Sequence, residues 1–470
     1  MTILPVLLWT DALVWLLACA VGLVFWRARR QPLLRAALAR VGQSRPGMAA
    51  ATVLAVFILI GLLDSLHYRP PLPAEPGKKT SYAVEVRSLL DALAEPLRTR
   101  NEKTYSAPLA TRAYAKETIE VAGSDGRRVQ QREFPRLRHG GAHLADEADW
   151  AHDVARRAAL GLGVAALIWC ALAAGCAAGV ARRSGCSWGD AGRCIARGDT
   201  VFAWKAVLLA LAVLLAVFVP LLALCGSYHV FGTDKVGQDI FYQILKSIRT
   251  ALVIGLVTTL VMLPLSVLLG VLAGYFRGWV DDVVQYLYTT LSSIPGVLLI
   301  AAAVLMMQVL IDTHPQWFAT AAERADLRLL ALCVILGLTG WTGLARLMRG
   351  ETLKLRELEY IQAAQAFGIS DLRILSRHIL PNLMHLVIVA LVMDFSGLVL
   401  AEAVLSYVGI GVDPTMISFG TMINNARMEL AREPMVWWSL AAAFAFMFTL
   451  VLAANLLADA VRDAFDPRRG

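Results

Sequence analysis

The run Glu359-Tyr-Ile-Gln-Ala-Ala-Gln-Ala-Phe-Gly368, continued by Ile-Ser-Asp-Leu-Arg-Ile-Leu-Ser-Arg-His-Ile-Leu-Pro381-Asn382, mixes small, charged and helix-punctuating residues in a pattern suited to protein contact. Arg356 to Phe367 holds good helix formers and an apolar stripe at Leu358, Ile361 and Ala364, the three-residue spacing of one helix face. Gly368 suits a left-handed helix end, and Ser370 with Asp371 suits the start of the next helix. Pro381 is expected to stop that second helix. Two short helices with a bend, carrying Ala363 and Ala364 on one face, can enter a partner's groove closely. The spacing alone serves equally for a helix pair lying on a membrane without a partner.

Two acids fall inside apolar sequence, Asp394 and Glu402. An ionised Asp at a bilayer centre costs at least about 2.5–3.5 kcal/mol, so both should face protein or a pathway. Glu402 reads as a structural hydrogen-bonded position, Asp394 as pathway lining or a partner contact. In Gly232-Thr-Asp-Lys-Val-Gly-Gln-Asp239, Asp234 and Asp239 can cap the next helix or touch an external protein; capping is preferred. A phosphate-binding loop needs Gly-x4-Gly-Lys-Ser/Thr, and the lone Gly77-Lys78 lacks both flanking features. His139-Gly-Gly-Ala-His143 has no third ligand nearby and reads as a surface loop rather than a metal site. The seven cysteines suggest neither a disulfide framework nor a metal site. The chain is expected to bind no metal or cofactor itself.

Membrane helices must position these residues. Of 470 residues 58% are hydrophobic and 17% charged, against about 45–50% and about 25% in soluble domains. A soluble enzyme and a disordered chain are both excluded. The net charge of +8 is read as Arg-rich cytoplasmic loops, not nucleic-acid binding. Nine apolar segments are expected to span, at 4–26, 48–66, 158–180, 205–228, 248–275, 283–311, 329–349, 384–410 and 437–459. The acid-free loop 27–47 with six arginines sets the N-terminus outside, and alternation then puts 67–157 outside, 350–383 inside and the C-terminal tail inside. Arg346 and Arg349 are expected at the cytoplasmic surface, and Pro264 is expected to kink its span.

Four parts follow: membrane helices with a basic loop (1–66), an extracytoplasmic domain (67–157), a further helix and cytoplasmic loop (158–204), and a core with its long loop (205–470). The domain opens with Pro70, Pro71, Pro73 and Pro76. Ser81 to Leu97 has helical spacing, through Val84, Leu89, Leu90, Leu93 and Leu97. Thr118 to Val121 reads as a strand and Gly123 to Gly126 as a turn.

The loop's Ala-Ala-x3-Gly, its basic stretch and its His-Ile-Leu-Pro-Asn resemble the EAA loop of ABC importer permeases of the dipeptide and oligopeptide type. The Gly232–Asp239 segment, Ala273-Gly-Tyr-Phe-Arg-Gly-Trp-Val-Asp281, Leu400 to Val412 and Asn455 to Pro467 are each similar to that family's motifs, in order, over about 205–467. The resemblance implies an all-α polytopic protein of a bacterial inner (plasma) membrane, with a type I ABC permease core, extra N-terminal helices and a small extracytoplasmic domain. It implies that Gln362, Ala363, Ala364, Gly368, Asp371, Arg373, Arg377 and Pro381 belong to a loop docking on ATP-binding subunits, which use ATP and Mg. A second permease and an external solute-binding protein are the other implied partners, with membrane lipid and no nucleic acid. Gln362 and Gln238 depart from the family's Glu and Arg. Residues 1–204 have no counterpart in the short form of the family. A gradient-driven secondary transporter, or a membrane scaffold or sensor, are the rival classes.

Overall fold

In this computed structural model the described residues are 4–28, 32–72, 81–122, 128–318 and 320–465. Arg29, Arg30, Pro73, Pro76, Gly77-Lys78, the Gly123–Gly126 turn and the tail from Asp466 lie outside them.

The chain begins with β1 (Leu4–Val6), α1 (Trp9–Ala28), α2 (Pro32–Gln43) and α3 (Arg45–Asp64). Then come β2 (His67–Arg69), β3 (Arg87–Ser88), α4 (Leu89–Leu93), α5 (Glu95–Thr99), β4 (Glu117–Ala122) and β5 (Arg128–Glu133). Helices α6 (Trp150–Ser184), α7 (Trp188–Arg197), α8 (Trp204–Cys225) and α9 (Ile240–Phe276) follow. Next are α10 (Gly278–Ser293), α11 (Gly296–Thr313), α12 (Ala321–Gly340) and α13 (Thr342–Arg356). The chain ends with α14 (Glu359–Ala366), α15 (Asp371–Ile374), α16 (Leu380–Val408), α17 (Phe419–Leu430) and α18 (Trp438–Phe465).

Among the described residues, seven helices are long and apolar enough to cross a membrane, and α12 with α13 forms a further, bent candidate. These correspond to eight of the nine expected spans, and the ninth is α1, a 20-residue helix in which Trp9–Leu23 is apolar among the described residues. The segment expected at 283–311 is two helices, because Pro295 breaks the run and the apolar span begins at Gly296. Pro264 lies inside the uninterrupted α9, whereas the bend of 41° falls at Trp341.

The chain forms two units, one mainly of Ala36–Arg249 with Ile417–Ala460, the other mainly of Pro5–Arg35 with Thr250–Met416. In the first, α6 lies so close to α8 that a Cβ on Gly161 would sit 2.6 Å from the Pro220 backbone, the small-residue contact that lets apolar helices approach. Trp169 Nε1 donates to the Leu208 carbonyl at 2.8 Å across the same seam. Ser44 caps α3, accepting from Gly47 N at 3.2 Å, and Pro46 occupies the first turn, where no N–H is needed.

The polar insertion in this unit is mixed rather than helical. Strands β2 and β3 pair antiparallel, as do β4 and β5. The expected helix over Ser81 to Leu97 is broken into α4 and α5, and Val84 is exposed. The break has a local cause: Ser88 accepts from Asp91 N at 3.1 Å while Asp91 accepts from Ser88 N at 2.8 Å, a capping box that starts a helix only at Leu89. Behind it, Lys246 Nζ of α9 reaches Asp64 Oδ1 at 2.6 Å and Asp91 Oδ1 at 3.1 Å.

In the second unit, α1 docks on α12 through Thr10 N, which donates to Asp326 Oδ2 at 3.1 Å. A core of Val271, Tyr275, Leu344, Met348, Ile361, Ile374, Ile379 and Leu383 holds α9, α13, α14 and α16 together.

Candidate functional site

The loop 350–383 is built from its caps outward. Helix α14 ends in a Schellman arrangement: Gly368 N donates to Gln365 O at 2.9 Å and Ile369 N to Ala364 O at 3.1 Å. Gly368 sits at φ +72°, a left-handed conformation that costs a side-chain-bearing residue about 1–2 kcal/mol. Ser370 begins α15 through its carbonyl, which accepts from Arg373 N and Ile374 N, and its side chain makes no cap bond. The Asp371 carboxylate accepts instead from Tyr275 Oη at 2.7 Å. Pro381 does not stop the second helix. A π-helical turn over Leu375–Ile379 precedes it, and α16 runs on from Leu380. Pro381 falls in the first turn of α16, and Asn382 Nδ2 donates to the His378 carbonyl at 2.7 Å.

The loop thus has a seated face and an open one. Ile361, Ala364, Ile374, Leu375 and Ile379 are buried. Leu358, expected on that stripe, is exposed because it is the extended residue ahead of α14. Ala363 and Ala364 do not share a face: Ala364 is buried, while Ala363 points outward with Gln362, Arg373 and Arg377. Phe367 is 86% exposed and Leu372 77%, one on either side of the Gly368 turn.

The seat is tightly made. A Cβ on Gly274 would lie 2.7 Å from the Arg349 carbonyl and from Thr352, so only glycine lets α9 and α13 meet there. Tyr275 Oη also accepts from Gln365 Nε2 at 3.2 Å, and Arg356 Nη1 donates to the Tyr275 carbonyl at 2.7 Å. Arg349 grips Asp281 through two hydrogen bonds of 2.5 and 2.6 Å, which hold the Asp281 carboxyl below its usual range. Arg277 pairs with Glu357. Tyr275, Asp281 and Gln365 join the candidate site without having been singled out in the sequence, and Arg349 was expected there only as a residue of the cytoplasmic surface. Tyr275 and Asp281 stood in a recognised motif, but nothing in the spacing told that they hold the loop.

The Gly232–Asp239 segment is the opposite kind of structure. Thr233 and Asp239 are buried. Asp239 Oδ1 accepts from Phe241 N at 2.8 Å and Tyr242 N at 3.4 Å, the geometry of a cap on α9. Asp234 Oδ1 accepts from Val236 N and Gln238 N, both at 2.9 Å, and Oδ2 from Gln243 Nε2 at 2.7 Å. The insertion covers the segment: Ser106 N donates to Thr233 Oγ1 at 2.7 Å, and Thr233 Oγ1 donates to Thr104 O at 2.9 Å. Gly237, at φ +77°, donates space as well as conformation, since a Cβ there would sit 1.9 Å from the Glu102 carbonyl.

A buried charge cluster lies beneath. His229 Nδ1 bonds Asp239 Oδ2 at 2.7 Å, and its Nε2 faces Glu102 Oε1 at 3.4 Å. Glu102 also accepts from the amides of Arg138, His139 and Gly140 at 2.7–3.1 Å. Burial alone would raise the Glu102 pKa, but His229 and these amides bring it down to about 2. Burial opposes the charge on His229 too, and its two carboxylates outweigh that, raising it to about 9. At neutral pH these shifts keep Glu102 ionised and His229 protonated. His143 bonds Asp153 at 2.7 Å, and among the described residues no group of three His, Cys, Asp or Glu could hold a metal.

Of the two acids in α16, Glu402 is 1% exposed and accepts from Ser406 Oγ at 2.6 Å. Asp394 is half-buried, and among the described residues it has no hydrogen-bond or ion-pair partner.

Residues 266–470 match the family described as binding-protein-dependent transport system inner membrane component. The chain is 36% identical over 245 residues to the glutathione transport system permease protein of Pectobacterium atrosepticum, covering 52% of this chain and 74% of the relative. It is 29% identical over 242 residues to the oligopeptide transport system permease protein of Mycobacterium bovis, covering 52% and 77%. With the dipeptide transport system permease protein of Bacillus subtilis the figures are 29% over 240 residues, 51% and 69%.

Proposed function

Since this chain belongs to the family of binding-protein-dependent transport system inner membrane components, we propose that it carries peptides or peptide-like solutes inward, using ATP hydrolysed elsewhere. It is a multi-pass inner-membrane permease subunit of an ABC importer. The partners of the proposed assembly are a second permease, ATP-binding subunits that take Mg and ATP, and an external solute-binding protein. The names of the relatives, which concern glutathione, oligopeptides and dipeptides, support a peptide-like cargo.

The observation that carries the coupling role is the exposure of Phe367 and Leu372 on a loop whose other face is fully packed. Large apolar side chains held out by a rigid turn are the anchors a partner's pocket would take. Closure of the ATP-binding subunits would push this turn. The push would pass into α16, which continues from α15 through the π-turn, and through Tyr275 and Arg356 into α9 and α13. Rocking of those helices would open the pathway to alternate sides. Asp394, half-buried and unpartnered among the described residues, is the α16 residue best placed to line that pathway or meet the second permease.

The test is Gly368→Pro. Proline's fixed φ near −65° cannot take the left-handed turn, so the variant should insert at the normal level and lose ATP-driven uptake. Uptake at the wild-type rate, or uptake that persists without the ATP-binding subunits, would overturn the reading in favour of a gradient-driven carrier.

A further inference from the structure

The first unit holds a groove of about 540 Å³ between α3, α8 and α18, within the range of about 300–1,000 Å³ typical of ligand sites. Its walls are apolar, with Val53 of α3 and Leu209 and Val213 of α8. Its mouth is not: Arg45, Lys205 and Gln43 stand there. Among the described residues neither Arg45 nor Lys205 has an ion-pair or hydrogen-bond partner for its charged group. Both α3 and α8 begin at this end, and Ala203 N donates to the Gly42 carbonyl at 2.8 Å, tying the two starts together. Helices α2 and α7 end at the same place, so the helix ends largely offset one another and the two cations supply the charge. The mouth lies where 42–45 and 198–205 come together, at the ends of two Arg-rich stretches whose charge assigns them to the cytoplasmic surface.

We propose that this groove is a binding site for an anionic glycerophospholipid of the cytoplasmic leaflet. The phosphate would lie between Arg45 and Lys205, with Gln43 as a further donor, and an acyl chain would run down the wall of Val53, Leu209 and Val213. The two features point to one occupant. A free phosphate would use the cations and gain nothing from the apolar wall, and a lipid without net negative charge would use the wall and leave the two cations unneutralised. Basic pockets between membrane helices on the cytoplasmic side have the chemistry of anionic headgroup sites. The helices concerned include α3, from the part of the chain that precedes the permease core. The site would give that extension a task independent of peptide transport, so it stands or falls apart from the coupling role of the 350–383 loop.

The experiment is native mass spectrometry of the full chain, with the subunits that accompany it. The protein is stripped of lipid and titrated with phosphatidylglycerol, phosphatidylcholine of the same chains, and glycerol phosphate. Each cation near an anionic headgroup is worth roughly five-fold in binding. Arg45→Gln with Lys205→Gln should therefore lower phosphatidylglycerol retention about 25-fold and phosphatidylcholine retention, whose phosphate is offset by its own choline cation, by much less. Val53→Trp, which fills the groove and keeps both cations, should lower phosphatidylglycerol retention as well. Equal retention of the two lipids by the wild type, or unchanged phosphatidylglycerol binding in the double variant, overturns the proposal. Glycerol phosphate displacing the lipid at equal concentration, or Val53→Trp without effect, would show a bare anion site and overturn it too.

Discussion

The two polar connections with recognisable motifs, Gly232–Asp239 and 359–382, are built to opposite ends. The first spends its acids within the chain: Asp234 and Asp239 give their oxygens to local amides and Gln243, Thr233 is enclosed by Thr104 and Ser106, and Gly237 abuts Glu102, while Lys235 and Val236 stay exposed. The second is as firmly held on one side but leaves Phe367 and Leu372 in the open. A motif whose acids are all spent within the chain is a fastening. One whose packed face supports bare apolar anchors has the form that the proposed coupling contact requires. Glu102, Thr104 and Ser106 of the polar insertion hold the first motif in place.

That contrast can be broken first at the buried triad. Glu102→Leu leaves His229 facing a single carboxylate and three amides without their acceptor. Removing one partner of a buried ion pair costs about 3–5 kcal/mol. Thermal unfolding in detergent should show a loss of that size, with cleavage of the insertion by protease at temperatures the wild type resists. A loss below about 1 kcal/mol would mean that the domain is not fastened there.

The same triad sets a pH dependence whose sign is fixed. Glu102 has a depressed pKa of about 2, so its contribution is full above its ordinary value near 4.5 and is lost as pH falls toward 2. His229 has a raised pKa of about 9, so its contribution is full below 6.5 and is lost as pH rises through 9. The fastening should be strongest between these limits, at about pH 4.5–6.5, and weaker by about 1–2 kcal/mol at pH 8. Unfolding temperatures measured at both pH values in wild type and His229→Gln test this, and the variant should lose the alkaline part of the slope.

The open surface answers to a different measurement. Phe367→Ala removes an exposed side chain, so stability should stay within about 0.5 kcal/mol. Binding-protein-stimulated ATPase activity should fall about ten-fold or more, as expected for an aromatic anchor worth at least about 1.4 kcal/mol. Normal stimulation would remove Phe367 from the contact.

Much of this was legible in the sequence, and the gaps share a cause. The long apolar helices and the Gly368 turn follow from local composition and spacing. What failed needed knowledge of neighbours. Val84 and Leu358 look like helix-stripe residues until the capping box at Ser88 and the extended residue before α14 displace them. Pro381 reads as a stop only if the preceding turn is α-helical, and the π-turn at Leu375–Ile379 removes the conflict. Ala363 and Ala364 are adjacent, and neighbours on a helix point about 100° apart, so one face could not hold both. Glu102 and His229 are 127 positions apart by number, too far for any periodicity to link them.

The smallest expected effect separates the seat of the loop from its anchors. Tyr275→Phe keeps the ring within the core and removes only the hydroxyl, which donates to Asp371 Oδ1 and accepts from Gln365 Nε2. A bond to a carboxylate is worth about 1.5–3 kcal/mol when its partner is left unsatisfied, but Asp371 is exposed and water can replace the donor. The expected loss in global stability is accordingly under about 1 kcal/mol, with the change concentrated in the turn around Gly368. Amide exchange should quicken at Gly368 and Ile369, whose bonds to Gln365 and Ala364 close α14. ATPase stimulation should fall by less than it does in Phe367→Ala, because the anchors remain and only their orientation loosens. If Tyr275→Phe instead matched Phe367→Ala, the hydroxyl would be part of the contact itself and the distinction between the seated and the open face would fail at that position.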